Sequence, residues 1–226
     1  MTKKPVLFWG ARGQARVLGE ALTGTAYRPA AYLDIDPQVV PPDASLPLLR
    51  NLREVKAWRQ ALRCKGRPYA VLAMGGKRGR ERVRLMEQLF ALGFRSLTVR
   101  HAQAWVARDA KIGEGCQILA GARICAGAHL GRQSIINTGV IVEHDCRLGE
   151  GVHLAPGVKL AGEVWVGDGA FLGIGAVVLP RCRIGNDAVV GAGAVVTRNV
   201  RPGSTVVGCP ARLLRRKKKR GACRRG

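Results

Sequence analysis

From Val106 to Val196 the chain places a large aliphatic residue at every sixth position, with no insertion. The row reads Val106, Ile112, Ile118, Ile124, Leu130, Ile136, Val142, Leu148, Leu154, Leu160, Val166, Leu172, Val178, Ile184, Val190 and Val196. Two residues before each stands a small or short β-branched residue, among them Ala104, Cys116, Ser134, Val152 and Ala194. A period of six fits neither the roughly 3.6-residue repeat of a helix nor the two-residue repeat of a continued strand. It predicts short strands with a turn after each, stacked into a parallel β-helix. The aliphatic residue fills the interior of a flat face, the small one packs where the chain bends, and intervening glycines allow the turn.

Residues 1–100 carry a different pattern. Apolar runs at 6–9, 31–33, 69–74 and 94–99 predict strands, and 14–22, 51–62 and 79–92 read as helices. Asn51 is the expected N-cap of the second helix. Strands alternating with helices predict an α/β domain with a small Rossmann-like parallel sheet. The expected organisation is therefore 1–100 as this domain, 101–214 as the β-helix and 215–226 as a tail. Gly10-x-x-Gly13 falls at the first strand-to-helix turn, where backbone N–H groups can accept an anion. The full dinucleotide fingerprint is absent, and the same glycines could only permit a tight turn. Asp34 ends the second strand, to bind a sugar hydroxyl or to cap the next turn. Gly75 ends the third, beside the crevice where open parallel sheets take ligands.

Composition narrows the class. No apolar run among the 226 residues reaches membrane-spanning length, and Met1-Thr-Lys-Lys4 precedes no signal-peptide core, so a cytoplasmic protein is expected. Seven cysteines show no C-x-x-C spacing. Cys116, Cys146 and Cys182 take the small inward position of the repeat and read as buried thiols in a reducing compartment. The formal charge of +23 is uneven. Residues 1–101 hold 19 Lys and Arg against 7 Asp and Glu, residues 102–200 hold 9 against 8, and residues 201–226 hold 10 against none. A basic first domain suits a phosphate-bearing ligand. The basic run at 215–220 has no apolar support and is expected to be disordered, with at most a weak contact to an anionic membrane and no specific nucleic acid.

Four segments carry a family resemblance: Gly10-Ala-Arg-Gly-Gln-Ala15, Leu33-Asp-Ile-Asp-Pro37, Asn137-Thr-Gly-Val-Ile-Val-Glu-His-Asp145 and Val207-Gly-Cys-Pro-Ala211. With the six-residue repeat, they resemble the sialic acid O-acetyltransferase and nucleotide-sugar N-acetyltransferase family of hexapeptide-repeat acyltransferases. The resemblance implies a left-handed β-helix of three faces and eighteen residues per coil. It implies acetyl-CoA as co-substrate, no tightly bound cofactor or metal, and a homotrimer with active sites between subunits. The expected acceptor is the amino group of a nucleotide-linked amino sugar of the UDP-4-amino sugar or GDP-perosamine type, made for polysaccharide biosynthesis. O-acetylation of sialic acid or another sugar is the alternative.

Residue by residue, the resemblance assigns acceptor binding to Arg12, Gly13, Gln14, Asp34, Ile35, Gly75, Asn137 and Glu143. Gln14 stands where the family commonly has His, and Ile35 where an acidic residue is frequent. His144 would be the base that takes the acceptor's proton, with Asp145 raising its basicity. Gly162 follows His144 by eighteen residues and stacks on it, so its N–H could face the thioester oxygen. His153, Gly162, Ile174 and Ala192 would contact acetyl-CoA. His153 lies half a coil from His144, across the coil, and a solvated turn histidine is its plainer reading. Two other readings stand beside this one. A zinc carbonic anhydrase of the same fold needs three histidines, and the spacing of 129, 144 and 153 does not match its arrangement. A non-catalytic protein binding nucleic acid or membrane through its basic tail is the other.

Overall fold

The computed structural model describes residues 3–62 and 66–214. The expected tail at 215–226 lies outside the described residues. The first domain is a parallel sheet of β1 (Lys4–Trp9), β2 (Tyr27–Leu33), β3 (Leu48–Leu49), β4 (Tyr69–Leu72) and β5 (Arg95–Ser96), in the order β3-β2-β1-β4-β5. Helices α1 (Gly13–Ala21), α2 (Leu52–Ala61) and α3 (Gly79–Ala91) make the connections. Asn51 caps α2 as its sequence suggests, its Oδ1 accepting the Glu54 N–H at 3.0 Å. β2 starts four residues earlier than its apolar run. It carries a bulge where Val6 pairs with Pro29 and Leu7 with Ala31, beside a proline that has no N–H for the ladder.

The expected strand over 94–99 is two strands. Arg95–Ser96 pairs with β4, whereas Val99–Arg100 pairs with Gln117–Ile118 and opens the β-helix. Leu97 and Val99 are buried between the two sheets, so one short apolar stretch serves both.

The rest is a left-handed parallel β-helix of two-residue strands in three sheets. The first face runs through Val99–Arg100, Gln117–Ile118, Ile135–Ile136, His153–Leu154, Phe171–Leu172, Val189–Val190 and Thr205–Val207. The second runs from Trp105–Val106 to Val195–Val196, and the third from Lys111–Ile112 to Arg183–Ile184. Strands pair with their equivalents eighteen residues on, as in Ile124 with Val142 and Leu154 with Leu172, until the last coil, where Val190 pairs with Val206, sixteen on. The every-sixth row fills the interior, with Cys116, Cys146 and Cys182 buried beside it. Val106 and Ile112 are only partly buried, because no complete coil lies above the first turn. No helix among the described residues is long and apolar enough to cross a membrane.

The α/β domain sits on the first face. Gln117, Ile135 and His153 point outward from the β-helix yet are buried beneath it. Gln117 Nε2 donates to the Leu72 carbonyl at 2.6 Å. Gly79, at the start of α3, touches Gly151 backbone to backbone, and a Cβ on either would run into the other's carbonyl. Arg80 pairs with Asp187 at 3.0 Å and reaches Asp168 at 3.4 Å, and Arg132 bridges Glu150 and Glu87. The C-terminal ends of β1 and β4 are thus carried next to the β-helix.

Candidate active site

The first site lies on the corner between the second and third faces. Each corner is a short turn in which the first and third N–H groups bond to neighbouring coils. Ala161 N–H reaches the Val178 carbonyl, and Glu163 N–H the His144 carbonyl. The middle N–H has no such partner. At two turns of the corner between third and first faces, a side chain of the next coil takes it up. Asp168 accepts from Glu150 N–H at 2.9 Å, and Asn186 from Asp168 N–H at 3.0 Å. At Gly162 no hydrogen bond to the middle N–H occurs among the described residues.

His144 occupies the middle position one coil above. Its ring lies directly over Gly162, so closely that a Cβ there would run into Nε2. Glycine is therefore what lets the imidazole lie against the turn. Asp145 Oδ2 accepts from His144 Nδ1 at 2.9 Å, which leaves the lone pair on Nε2. Asp145 holds φ at +58°, a left-handed conformation that Asp tolerates better than most residues and that turns its carboxylate back towards the ring. The His144 pKa is raised above 6.5, first by the hydrogen bond to Asp145 and then by the charges of Asp145, Glu143 and Glu163. Glu143 turns back to accept the His144 N–H at 3.3 Å. The ring is more than half exposed. This corner can remove a proton from an incoming nucleophile and offer an open N–H to a developing oxyanion.

The second site is an open cleft of about 620 Å³ at the C-terminal ends of β1 and β4. Of the residues expected to bind the acceptor, Arg12, Gln14, Asp34, Ile35 and Gly75 line it. Gly13 does not line it, and a methyl group would fit at Gly13 freely. The glycine the turn needs is Gly10, at φ +105° with its α-carbon against the Ala73 carbonyl. Asp34 is already engaged in capping, Oδ2 accepting from Ala11 N–H and Oδ1 from Asp36 N–H, each at 3.1 Å. Arg12 pairs with Asp36, and Ile35 stands at the rim, 77% exposed. Gln14 Nε2 donates to Gln117 Oε1 at 2.8 Å, tying the start of α1 to the first face. The cleft also takes in Trp9, Met74, Arg78, Glu81, Arg84 and Leu85, which the motifs did not point to.

His153 belongs to this second region. The alternative of a solvated turn histidine is excluded: His153 is on a strand, 6% exposed, under the α/β domain. Its Nδ1 lies 3.2 Å from the Gly76 carbonyl, which can only accept, so Nδ1 carries the proton. Asn137 Nδ2 approaches Nε2 at 3.4 Å, and Phe171 packs edge-on to the ring. Burial, with Arg82 nearby, lowers its pKa to about 4, so the ring is neutral at neutral pH. A Cβ on Gly75 would lie 3.2 Å from His153 Cε1, so the cleft wall rests on this ring.

The other assigned residues divide between the corners. Asn137 Oδ1 accepts the Thr138 N–H at 2.8 Å at the corner between first and second faces. Ile174 and Ala192 stack on that same corner, both exposed. None of the cleft-lining residues comes from the corner of His144. Histidines 129, 144 and 153 lie respectively on the third face, the corner and the first face. No group of three or more His, Cys, Asp or Glu among the described residues could hold a metal ion.

Against known proteins, the family described as bacterial transferase hexapeptide (six repeats) matches residues 163–198. No curated protein sequence matches the chain. Among solved structures, it is similar to a histidine-to-asparagine variant of perosamine N-acetyltransferase from Caulobacter crescentus, in complex with CoA and GDP-perosamine. The identity is 34%, over 94% of this chain and 97% of that one, with a TM-score of 0.85. The chain belongs to the hexapeptide-repeat acetyltransferases. The acetyltransferase domain of PglB from Neisseria gonorrhoeae, in complex with acetyl coenzyme A, is 30% identical over 94% of this chain and all of that one, with a TM-score of 0.80. WeeI from Acinetobacter baumannii is 26% identical over 92% and 99%, with a TM-score of 0.72. In this acetyltransferase, then, an α/β domain with an open cleft and a β-helix with an exposed imidazole–carboxylate pair occur together.

Proposed function

We propose that this acetyltransferase moves the acetyl group of acetyl-CoA to the amino group of a nucleotide-linked amino sugar. The observation that carries the reading is the His144 corner: a lone pair on Nε2, an orienting Asp145, and Gly162 packed against the ring with its N–H unbonded among the described residues. CoA, acetyl-CoA and GDP-perosamine in the crystal structures of the relatives support the choice of substrates.

The neutral amine attacks the thioester carbonyl while His144 Nε2 takes a proton from it, and the C–N bond forms. The imidazolium stays on Asp145, and Gly162 N–H donates to the oxyanion. Collapse breaks the C–S bond, and the CoA thiolate leaves with the proton that His144 returns. No acyl-enzyme is needed. The buried thiols of Cys116 and Cys146, pushed up to about 12 and about 11, make poor nucleophiles. Acetyl-CoA would run along the β-helix past Gly162, Ile174 and Ala192, with His153 and Asn137 nearby. Arg12, Gln14, Asp34, Ile35 and Gly75 would hold the nucleotide sugar, with Gly13 at the helix start and Glu143 beside the acceptor amine.

The cleft and the His144 corner lie on different sides of one β-helix. A neighbouring copy would bring the two together, which supports a homotrimer with sites between subunits. The test is CoA release from acetyl-CoA, followed by chromatography, with UDP-4-amino sugars, GDP-perosamine and sialic acid offered in parallel. Acetylation of one nucleotide amino sugar, lost in His144→Ala, is the expected result. Turnover with sialic acid alone would make it an O-acetyltransferase, and no turnover with any acceptor would overturn the reading.

A further inference from the structure

Arg82 is the one fully buried arginine among the described residues, at 0% exposure. It belongs to α3, on the stripe Gly79, Arg82, Leu85, Met86, Leu89 that faces inward. Its donors meet backbone carbonyls of three segments. Nε donates to Gln133 at 3.0 Å, Nη1 to Met74 at 3.3 Å, and Nη2 to Gly151 at 2.8 Å and Val152 at 3.3 Å. No carboxylate among the described residues bonds it: Glu81, adjacent in sequence, is held by Arg78. A buried charge satisfied by carbonyls alone is a poor way to gain stability, since an apolar side chain would seal the same seam without desolvating an ion. What the guanidinium adds is direction, because its rigid fork fixes the three segments relative to one another.

Those segments are functionally placed. Met74 precedes Gly75 and Gly76, the cleft wall that rests on His153. Gly151 and Val152 lead directly into His153. Gln133 lies one coil above Gly151, eighteen residues earlier. We propose that Arg82 is a positioning residue, which locks the 74–76 wall of the acceptor cleft to the coil carrying His153 and so sets where the acceptor sugar stands relative to the β-helix. The proposal rests on the reading of the cleft as the acceptor site. It follows that the fork, and not only the charge, is required, so lysine is a poor substitute.

The experiment uses the full chain, with Arg82→Met, Arg82→Lys and Gly75→Ala. Gly75→Ala presses the wall away from His153 with Arg82 itself unchanged, and Arg82→Lys keeps the proposal testable if Arg82→Met does not fold. One readout is kinetic. The KM for the nucleotide sugar should rise about tenfold or more in all three variants, while that for acetyl-CoA stays within about twofold. The other needs no substrate: the ring ¹⁵N signals of His153 at pH 8. Wild type should show the Nδ1–H tautomer fixed by Gly76. The Arg82 variants should shift towards the Nε2–H form that free imidazole prefers, with the β-helix still folded by circular dichroism. An unchanged tautomer in folded Arg82 variants would overturn the proposal, as would an equal loss of affinity for both substrates or full rescue by lysine. If wild type acetylates no nucleotide sugar, the functional reading fails while the tautomer still decides the role of Arg82.

Discussion

His144 and His153 are nine residues apart on one repeating scaffold, and their surroundings treat the imidazole in opposite ways. His144 stands on an open corner with its Nδ1–H on a carboxylate, and its pKa is raised. His153 lies under the α/β domain with its Nδ1–H on a carbonyl, and its pKa falls to about 4. A carboxylate stabilises the imidazolium, so proton uptake at Nε2 is favoured. A carbonyl in a desolvated seam fixes the tautomer, but burial outweighs the support it gives the cation. The first imidazole is suited to take up a proton, and the second is held neutral in one tautomer.

Removing each should therefore fail differently. His144→Ala should lower kcat by about 10² to 10⁴ with little change in melting temperature, measured by CoA release at saturating substrates. His153→Gln should act on stability. The folded pKa of His153 is depressed, so the folded state binds fewer protons than the unfolded state between about 4 and 6.5. Stability is then fully present above pH 6.5 and falls as the solution is acidified, by on the order of 3 kcal/mol by pH 4. Urea midpoints across this range should show the slope in wild type and lose that part of it in His153→Gln. A smaller effect is expected from Gly162→Ala. Its Cβ displaces the His144 ring, and kcat should drop roughly thirtyfold while the fold is kept, since a displacement near 1 Å is costly to a positioned base.

The β-helix was legible because its interior row is local: one aliphatic residue in six, with glycine or a small residue at the bend, needs no partner from elsewhere in the chain. The stacking of Gly162 under His144 followed from the same eighteen-residue count. The strand over 94–99 misled because alternating apolar residues do not say which sheet each one enters, and here Leu97 and Val99 are buried between two. The burial of His153 was not legible for a related reason. Its burial depends on a domain that folds from residues some eighty positions earlier, which no local pattern encodes. Arg82 did leave a trace, as a charge at an apolar-stripe position of α3, but only the docking against Gln133 and Gly151 gives that charge a purpose. The capping work of Asp34 was one of two readings open in the sequence, and the hydrogen bonds to Ala11 and Asp36 are consistent with it.

The smallest substitution tests the account most directly. Asp145→Asn keeps the size of the side chain and removes the charge that raises His144. The measurement is kcat/KM for acetyl transfer to the nucleotide amino sugar as a function of pH, in wild type and in Asp145→Asn. Because the base must be unprotonated and its pKa is raised, activity in wild type should climb with pH through a midpoint above 6.5. In Asp145→Asn the midpoint should move to lower pH, and the plateau should fall about tenfold as the base weakens. A limb that stays in place after the substitution, with an unchanged plateau, would mean that His144 is not the group that takes the proton.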